Sequence, residues 1–276
     1  HLYQNDFTSA EEEYRKAIAA DSSSMFIRNE LIALLVNLGK VEEAIKEAED
    51  ALAVDPNYIP LYLTLGDLYS NKGLTAKAQE AYKKILSMDP SHEEAIVSLS
   101  GMLAHEKKYS EAIAALEDLI RRKPDSFMGH YFLGKVYSSQ QQYEKAIHYL
   151  AKAREIKPDS QSALMETGLV YELNKQNKEA VQAYLDLLDI EPRSITALLR
   201  VGQIYIMEDQ LDEALEFLKR ALMLRPRDDR IRAKIGLVYL EKKEFDTAIQ
   251  IFTELTGQNP EEDRYKYYLA MAYEGK

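Results

Sequence analysis

The sequence predicts an all-α protein, an array of stacked helical hairpins that repeat every 34 residues. Two residue types keep this interval along the chain. They are the prolines Pro56, Pro90, Pro124, Pro158, Pro192, Pro226 and Pro260, and the alanines Ala10, Ala44, Ala78, Ala112, Ala146, Ala180, Ala214 and Ala248. A fixed period of this length indicates one supersecondary unit copied in series. No stretch shows the sustained polar–apolar alternation of a half-buried strand.

Residues 195–228 show how each hairpin is predicted. Apolar residues first fall at helical spacing, and the polar segment 208–210 then breaks the pattern. A second apolar stripe follows with the spacing i, i+3, i+4, i+7, which is typical of an amphipathic helix. Pro226 lacks an N–H and disfavours helical geometry in the residue before it. The second helix should therefore end near Arg225.

The same pattern divides the chain into one domain, residues 1–276, made of successive repeats. We expect a partial repeat at 1–24, full repeats at 25–58, 59–92, 93–126, 127–160, 161–194, 195–228 and 229–262, and a partial repeat or capping helix at 263–276. Residues 1–24 should hold the end of a first helix and all of its partner. Both ends of the chain fall inside a repeat, so we expect it to be part of a longer protein.

Small and large residues recur at fixed positions, counted from the first residue of each repeat. Glycine at position 8 recurs as Gly66, Gly134, Gly168, Gly202 and Gly236. Glycine costs about 1 kcal/mol relative to alanine inside a helix, so its recurrence predicts a close approach of two helices. We expect the alanine at position 20 to face it. Tyrosine at position 11 and a large apolar residue at position 24 should fill the space between hairpins.

This combination, with proline at position 32, resembles the tetratricopeptide repeat (TPR) over essentially the whole chain. Departures are local, as at Ile32 and Ser100, which stand where glycine is expected. The resemblance implies a right-handed α-solenoid, a superhelix of antiparallel hairpins. In that fold the first helix of each hairpin, helix A, lines a concave groove, and helix B lies outside. Pentatricopeptide, HEAT and armadillo repeats fit less well in period or charge.

Composition removes several classes of function. The chain has no cysteine, which excludes disulfides, thiolate catalysis and cysteine-based zinc sites. Its net charge is -11, which argues against a nucleic-acid partner because phosphate binding rests largely on Lys and Arg. No apolar run approaches the roughly 20 residues that span a bilayer, so we expect no membrane insertion in this segment. The compartment, cytoplasmic or periplasmic, is left open.

No pattern in the sequence predicts catalysis. Glycine-rich phosphate loops are absent, and no two of the five histidines stand three or four residues apart on a helix. Carboxylates cluster at predicted helix starts, where they complement the helix dipole. We therefore expect no enzyme activity, no cofactor and no metal site.

The TPR resemblance places positions 2, 5, 6, 9, 12 and 13 of helix A on the groove. Apolar, methionine-rich and basic residues gather there in the later repeats, and exposed patches of this kind usually mark binding surfaces. The predicted partner-binding groove comprises Met128, Tyr131, Lys135, Met165, Leu169, Leu199, Arg200, Gln203, Met207, Arg230, Lys234, Leu237, Arg264 and Tyr267. Alternatively, some of the apolar residues pack against the neighbouring helix A.

The predicted function is a non-enzymatic scaffold or adaptor that binds a protein partner's peptide or helix in the groove. Apolar anchors would supply affinity, and the basic residues would pair with carboxylates. The clamp by which some TPR proteins hold chaperone tails is only partly matched, by Arg200, Arg230 and Lys234. Two alternatives remain. One is a recruiting region of a larger enzyme. The other is a self-assembling scaffold, a homo-oligomer through the terminal repeats, docked by side chains such as Tyr265, Tyr268 and Met271.

Overall fold

The structure, a computed structural model, describes residues 2–276, with side chains described from Asp6 onward; His1 lies outside the described residues. The described residues form sixteen α-helices and no strand. They group into two compact units, His1–Gln140 and Gln141–Lys276, called unit 1 and unit 2 below. The predicted all-α fold of helical hairpins is confirmed. The assignment of residues 1–276 to a single array with the repeat boundaries given above stays a prediction.

The helix bounds follow the 34-residue period. Unit 1 contains α1 (Leu2–Ala20), α2 (Met25–Asn37), α3 (Val41–Val54), α4 (Ile59–Asn71), α5 (Thr75–Met88), α6 (Glu93–His105), α7 (Tyr109–Arg122) and α8 (Phe127–Ser139). Unit 2 contains α9 (Tyr143–Ile156), α10 (Gln161–Leu173), α11 (Asn177–Ile190), α12 (Ile195–Met207), α13 (Leu211–Leu224), α14 (Asp229–Glu241), α15 (Phe245–Gln258) and α16 (Asp263–Gly275). Within each unit, helix A packs on helix B of its repeat, and helix B packs on the next helix A.

The first helix differs from its prediction. Residues 2–20 form one continuous helix, so the expected break between the end of a first helix and its partner is wrong. Continuing the helix through Gln4 and Asn5 keeps their backbone groups hydrogen-bonded.

Each full repeat turns from helix A to helix B through a left-handed residue at position 15. It is glycine in two repeats, Gly39 and Gly73, with φ of 72° and 71°. In the others it is Lys107, Gln141, Lys175, Asp209 or Lys243, with φ between 57° and 61°. The next N–H then reaches back to the carbonyl of position 11, as Leu74 does to Tyr69 at 2.8 Å. This is the Schellman geometry, which satisfies carbonyls that the helix end would leave unpaired.

Most turns from helix B to the next helix A contain the recurring proline, and five of the A helices have a capping side chain. Helix α13 ends at Leu224, two residues before Pro226, as predicted. Ser126, the last residue before α8, caps that helix: its Oγ accepts the Gly129 N–H at 2.8 Å. The equivalent caps are Ser24, Ser160, Ser194 and Asp228. Such caps stabilise a helix by about 1 kcal/mol each.

The large residue at position 24 fills the notch left by the glycine at position 8. A Cβ built on Gly168 would lie 2.4 Å from the Tyr184 ring, closer than real Cβ contacts come. The equivalent pairs are Gly66 with Tyr82, Gly202 with Leu218, and Gly236 with Phe252. All of these position-24 side chains are at most 2% exposed, so their predicted core role is confirmed. Packing of this density leaves no room for an added methyl group.

The predicted facing contact of these glycines is wrong. The alanines at position 20 from Ala44 onward are buried, but the nearest atoms to Gly66, Gly168, Gly202 and Gly236 belong to position 24. Only at Gly202 is an alanine atom, Ala214 O at 3.5 Å, among the three nearest. In the first full repeat the large side chain is at position 8 and the small one is at position 24. There Ile32 stands at position 8 and Ala48 at position 24, both fully buried in one core cluster.

Candidate functional site

The candidate site in unit 2 lies on the surface of its A helices, α10, α12, α14 and α16, called the A-helix face below. It holds eleven of the predicted site residues, from Met165 to Tyr267. None of the eleven is buried: some are half-buried and the rest are exposed. Helices α14 and α16 contact each other directly, so equivalent positions on them are neighbours.

The apolar residues of this face divide into two groups. Met165 and Leu199 are half-buried against the core cluster of α10 to α14, and Leu237 packs against the cluster around Phe252. Met207 and Tyr267 are 60% and 62% exposed. Only the second group offers a partner most of its side-chain surface. The first group matches the alternative of packing against neighbouring helices.

A carboxylate that the predicted site omitted organises the polar part of the face. Glu172, at position 12 of α10, is only 18% exposed. Its Oε1 accepts the Tyr184 hydroxyl at 2.6 Å, and its Oε2 accepts Arg200 Nη1 at 3.2 Å. Burial, and then this bond to the carboxylate, raises the pKa of Tyr184, so the phenol remains a hydrogen-bond donor. Arg200 is thus already neutralised from the neighbouring helix.

The other cationic residues differ in how firmly they are held. Lys234 Nζ donates to Gln203 Oε1 at 2.8 Å, which links α14 to α12. The Arg230 and Arg264 side chains are 85% and 72% exposed, and each pairs with an acid at its own helix start. The Arg230 pair, at 3.6 Å, is weak and exchanges readily for a partner's carboxylate. Arg264 donates from both Nε and Nη2 to Glu262 at 2.9 Å, so a partner's carboxylate has to replace a bidentate pair there.

The three predicted residues in unit 1 lie on α8, where Tyr131 and Lys135 belong to an aromatic group. Tyr131 stacks on Phe127, with ring centroids 5.7 Å apart. The Lys135 ammonium lies 5.5 Å from the Tyr131 ring and 5.6 Å from the Phe132 ring, within cation–π range. Met128 is half-buried and lines a shallow hollow with His92 and Lys123.

Sequence reasoning missed Glu172, although position 12 is one of the face positions. A count of apolar and basic residues alone does not reveal an acid one repeat before Arg200. The described residues contain no group of three or more His, Asp or Glu side chains placed to hold a metal ion. No helix in the described part of the chain is long and apolar enough to cross a membrane.

Solved structures share this fold. PilW, a type IV pilus biogenesis factor, is 20% identical with a TM-score of 0.66, over 74% of this chain and 95% of its own. The anaphase-promoting complex hetero-tetramer Cut9-Hcn1 is 21% identical with a TM-score of 0.59, over 96% of this chain. The matched region is 52% of that chain, so the present chain spans about half its length. MamA is 27% identical with a TM-score of 0.53, over 62% of this chain and 94% of its own. No curated protein sequence matches the chain.

Family models give the same assignment from sequence. The model of subunit 3 of the anaphase-promoting complex, or cyclosome, matches residues 71–153. One tetratricopeptide repeat model matches residues 35–103, 171–235 and 205–272, and a second matches 1–59 and 131–195. The first of the two tetratricopeptide repeat models alone matches more than half of the chain. The chain belongs to the tetratricopeptide repeat family.

Proposed function

We propose that the A-helix face of unit 2 binds a partner segment that carries apolar and acidic side chains. Two kinds of observation support this proposal: the family of the chain, and the exposed residues of this face. Tetratricopeptide repeat proteins bind protein partners, and the fold is generally a non-enzymatic interaction module. Family and neighbours together support a protein–protein interaction scaffold.

The observation that carries the proposal is the pair Arg230 and Arg264. Both stand at position 2 of their repeats, on the contacting helices α14 and α16, and both are largely exposed. Tyr267, one turn further along α16, is exposed beside them. Two guanidinium groups next to an apolar ring suit a segment with carboxylates flanking a hydrophobic residue.

Met207 extends the apolar surface to α12. Arg200 and Lys234 contribute less than the sequence predicts, because Glu172 and Gln203 already hold them. Binding energy at such interfaces is concentrated in a few accessible anchors. We therefore assign the main contacts to Met207, Arg230, Arg264 and Tyr267.

Partner capture with matched variants tests the proposal. The test variant carries Met207→Ala, Arg230→Ala and Arg264→Ala. The control carries Met223→Ala, Lys178→Ala and Lys219→Ala, which removes one exposed methionine and two exposed cations from B helices. We expect proteins captured by the wild type from the native lysate to be lost by the test variant and kept by the control. Capture that is equal for both variants contradicts the placement.

A further inference from the structure

One helix A of unit 1 carries a glycine at a position where its neighbours carry a charged side chain. Gly101 stands at position 9 of α6, the position held by Asp67 on α4 and Lys135 on α8. A Cβ built on Gly101 would meet no atom within 4 Å, so this glycine is not needed for packing. It borders an open hollow of about 550 Å³ in unit 1, lined by residues of α4, α5, α6 and α8.

One wall of the hollow carries a carboxylate with no cation beside it. Asp67 is exposed, and within the described residues it forms no ion pair. Its Oδ1 accepts the Tyr82 hydroxyl at 2.6 Å. Burial, and then the bond to Asp67, raises the pKa of Tyr82. The phenol therefore keeps its proton and holds the carboxylate in place.

The remaining walls combine apolar surface, hydroxyl groups and the imidazole of His105. Val97 and Met102 come from α6, and Phe132 comes from α8. The hydroxyls of Ser70 and Ser98 stand at the same hollow and can accept further N–H donors. The occupant that matches this set has a positive charge, several donors and flat apolar faces. A guanidinium group meets all three requirements, and it stacks on aromatic rings better than a compact, strongly hydrated ammonium does.

We propose that this hollow binds an arginine side chain of a protein partner, with the guanidinium on Asp67 and its flat face against the apolar wall of the hollow. The inference rests on the proposed function, since it assumes that the chain binds protein segments. It concerns different residues, on α4, α6 and α8, and none of them is altered in the capture experiment.

The test is a titration of the full chain by ¹H–¹⁵N nuclear magnetic resonance. The probes are the capped tripeptide acetyl-Gly-Arg-Gly-amide and its twins with citrulline, which is neutral and nearly the same shape, and with lysine. We expect saturable shifts of the Ser70 and Ser98 amides with the arginine peptide, at a dissociation constant of about 1–10 mM. The citrulline and lysine peptides should bind at least about tenfold more weakly, since each lacks part of the charge-assisted contact.

Two variants and a matched control locate the site. Asp67→Asn keeps an acceptor for Tyr82 but removes the charge, and it should weaken arginine binding at least about tenfold. Gly101→Leu should abolish binding by filling the hollow, while leucine favours the helix over glycine. Gly257→Leu alters another helical glycine with no atom within 4 Å of its Cβ, and it should leave binding unchanged.

Three results overturn the proposal: no saturable shift with the arginine peptide, equal binding of the citrulline or lysine peptide, or unchanged binding in Gly101→Leu. The capture experiment fails independently, because it alters only residues of unit 2. Peptide binding that persists when partner capture is unaffected by Met207→Ala, Arg230→Ala and Arg264→Ala would reject the unit 2 site alone.

Discussion

At the scale of single residues, two helical glycines of this chain have opposite roles. Gly168 is required because the Tyr184 ring occupies the place of its Cβ. Gly101 has open space in that direction and retains only the conformational cost of glycine. The same substitution at these two positions should therefore change stability in opposite directions.

We expect Gly168→Ala to lower the free energy of unfolding by about 1–3 kcal/mol, because the added methyl group overpacks the interface with Tyr184. Gly101→Ala should raise it by about 1 kcal/mol through helix propensity. Urea unfolding followed by circular dichroism measures both. Equal midpoints for the two variants would show that the Tyr184 contact does not decide the role of Gly168.

Glu11 should give the stability of unit 1 a dependence on acid pH. Its side chain is 12% exposed, and its carboxylate accepts Lys40 Nζ at 2.7 Å and Arg15 Nη2 at 2.9 Å. The hydrogen bond from Lys40 is the main cause that lowers the pKa of Glu11 below its ordinary value of 4.5. A lowered pKa means that this stabilisation is complete above the ordinary value and is lost as pH falls through the lowered one.

We therefore expect Glu11→Gln to melt below the wild type at neutral pH. The difference should shrink as pH falls below 4.5, because the wild-type carboxyl then becomes neutral as well. Thermal melts between neutral pH and about pH 3 measure it. A difference that stays constant over this range would show that the charge of Glu11 is not responsible.

At the scale of helices and turns, five hairpins could be stabilised by replacing the residue that has a positive φ at position 15. Lysine, glutamine or aspartate adopts a positive φ in five repeats, which costs roughly 1–2 kcal/mol relative to glycine. Gly39 and Gly73 show that the same turn accepts glycine, with no atom within 4 Å of a Cβ built on either.

We expect Lys107→Gly, Lys175→Gly and Lys243→Gly each to raise the thermal midpoint, with a gain of roughly 0.5–1 kcal/mol after the entropic cost of glycine. Gly39→Ala and Gly73→Ala should lower it, because the added side chain must adopt a positive φ. Differential scanning calorimetry gives the midpoints. Lower midpoints in the lysine-to-glycine variants would mean that their side chains stabilise the turns by more than the backbone loses.

These turns also mark the limit of prediction for the elements. The ends of the B helices were predictable because proline acts locally, as at Pro226. The A-to-B turns were predictable only as polar breaks, since most repeats lack the glycine that signals a left-handed residue. The continuous helix over residues 2–20 was missed because the 34-residue period was carried into a segment with no breaking residue.

At the scale of the whole molecule, helices pack on their sequence neighbours within each unit and, in places, on the A helix of the adjacent repeat. Tyr273 on α16 is a large residue that this packing leaves exposed. Tyr69 and Tyr137, at position 11 of their repeats, are buried. Tyr273 stands at the same position but is 60% exposed, so it does not fill a space between two hairpins as predicted.

We expect a second copy of the chain to cover this surface at high concentration, giving a homo-oligomer. Of the docking residues predicted, Tyr265 is buried in the core of unit 2 and Tyr268 is half-buried, whereas Met271 is 41% exposed. Tyr273→Ser should abolish self-association, and Phe26→Ser, at an exposed aromatic residue of α2, should not. Light scattering over a concentration series decides, and a wild type that stays monomeric throughout rejects the oligomer.

The candidate site was predictable in part. Repeat position alone identified residues that are not buried, because one hairpin geometry recurs throughout. It could not show that Arg200 is neutralised, since the Glu172 carboxylate belongs to another repeat. The hollow beside Gly101 was not predictable from the types of residue on the face, because it results from a side chain that is absent.

The matched sizes at positions 8 and 24 constrain how this gene can recombine. Joining helix A of the first full repeat to helix B of the fifth would set Ile32 against Tyr184, two large side chains in one place. The reciprocal product would set Gly168 against Ala48 and leave a void. Crossovers in the proline loops keep each pair together, so lineages of this chain should gain and lose repeats in blocks of 34 residues.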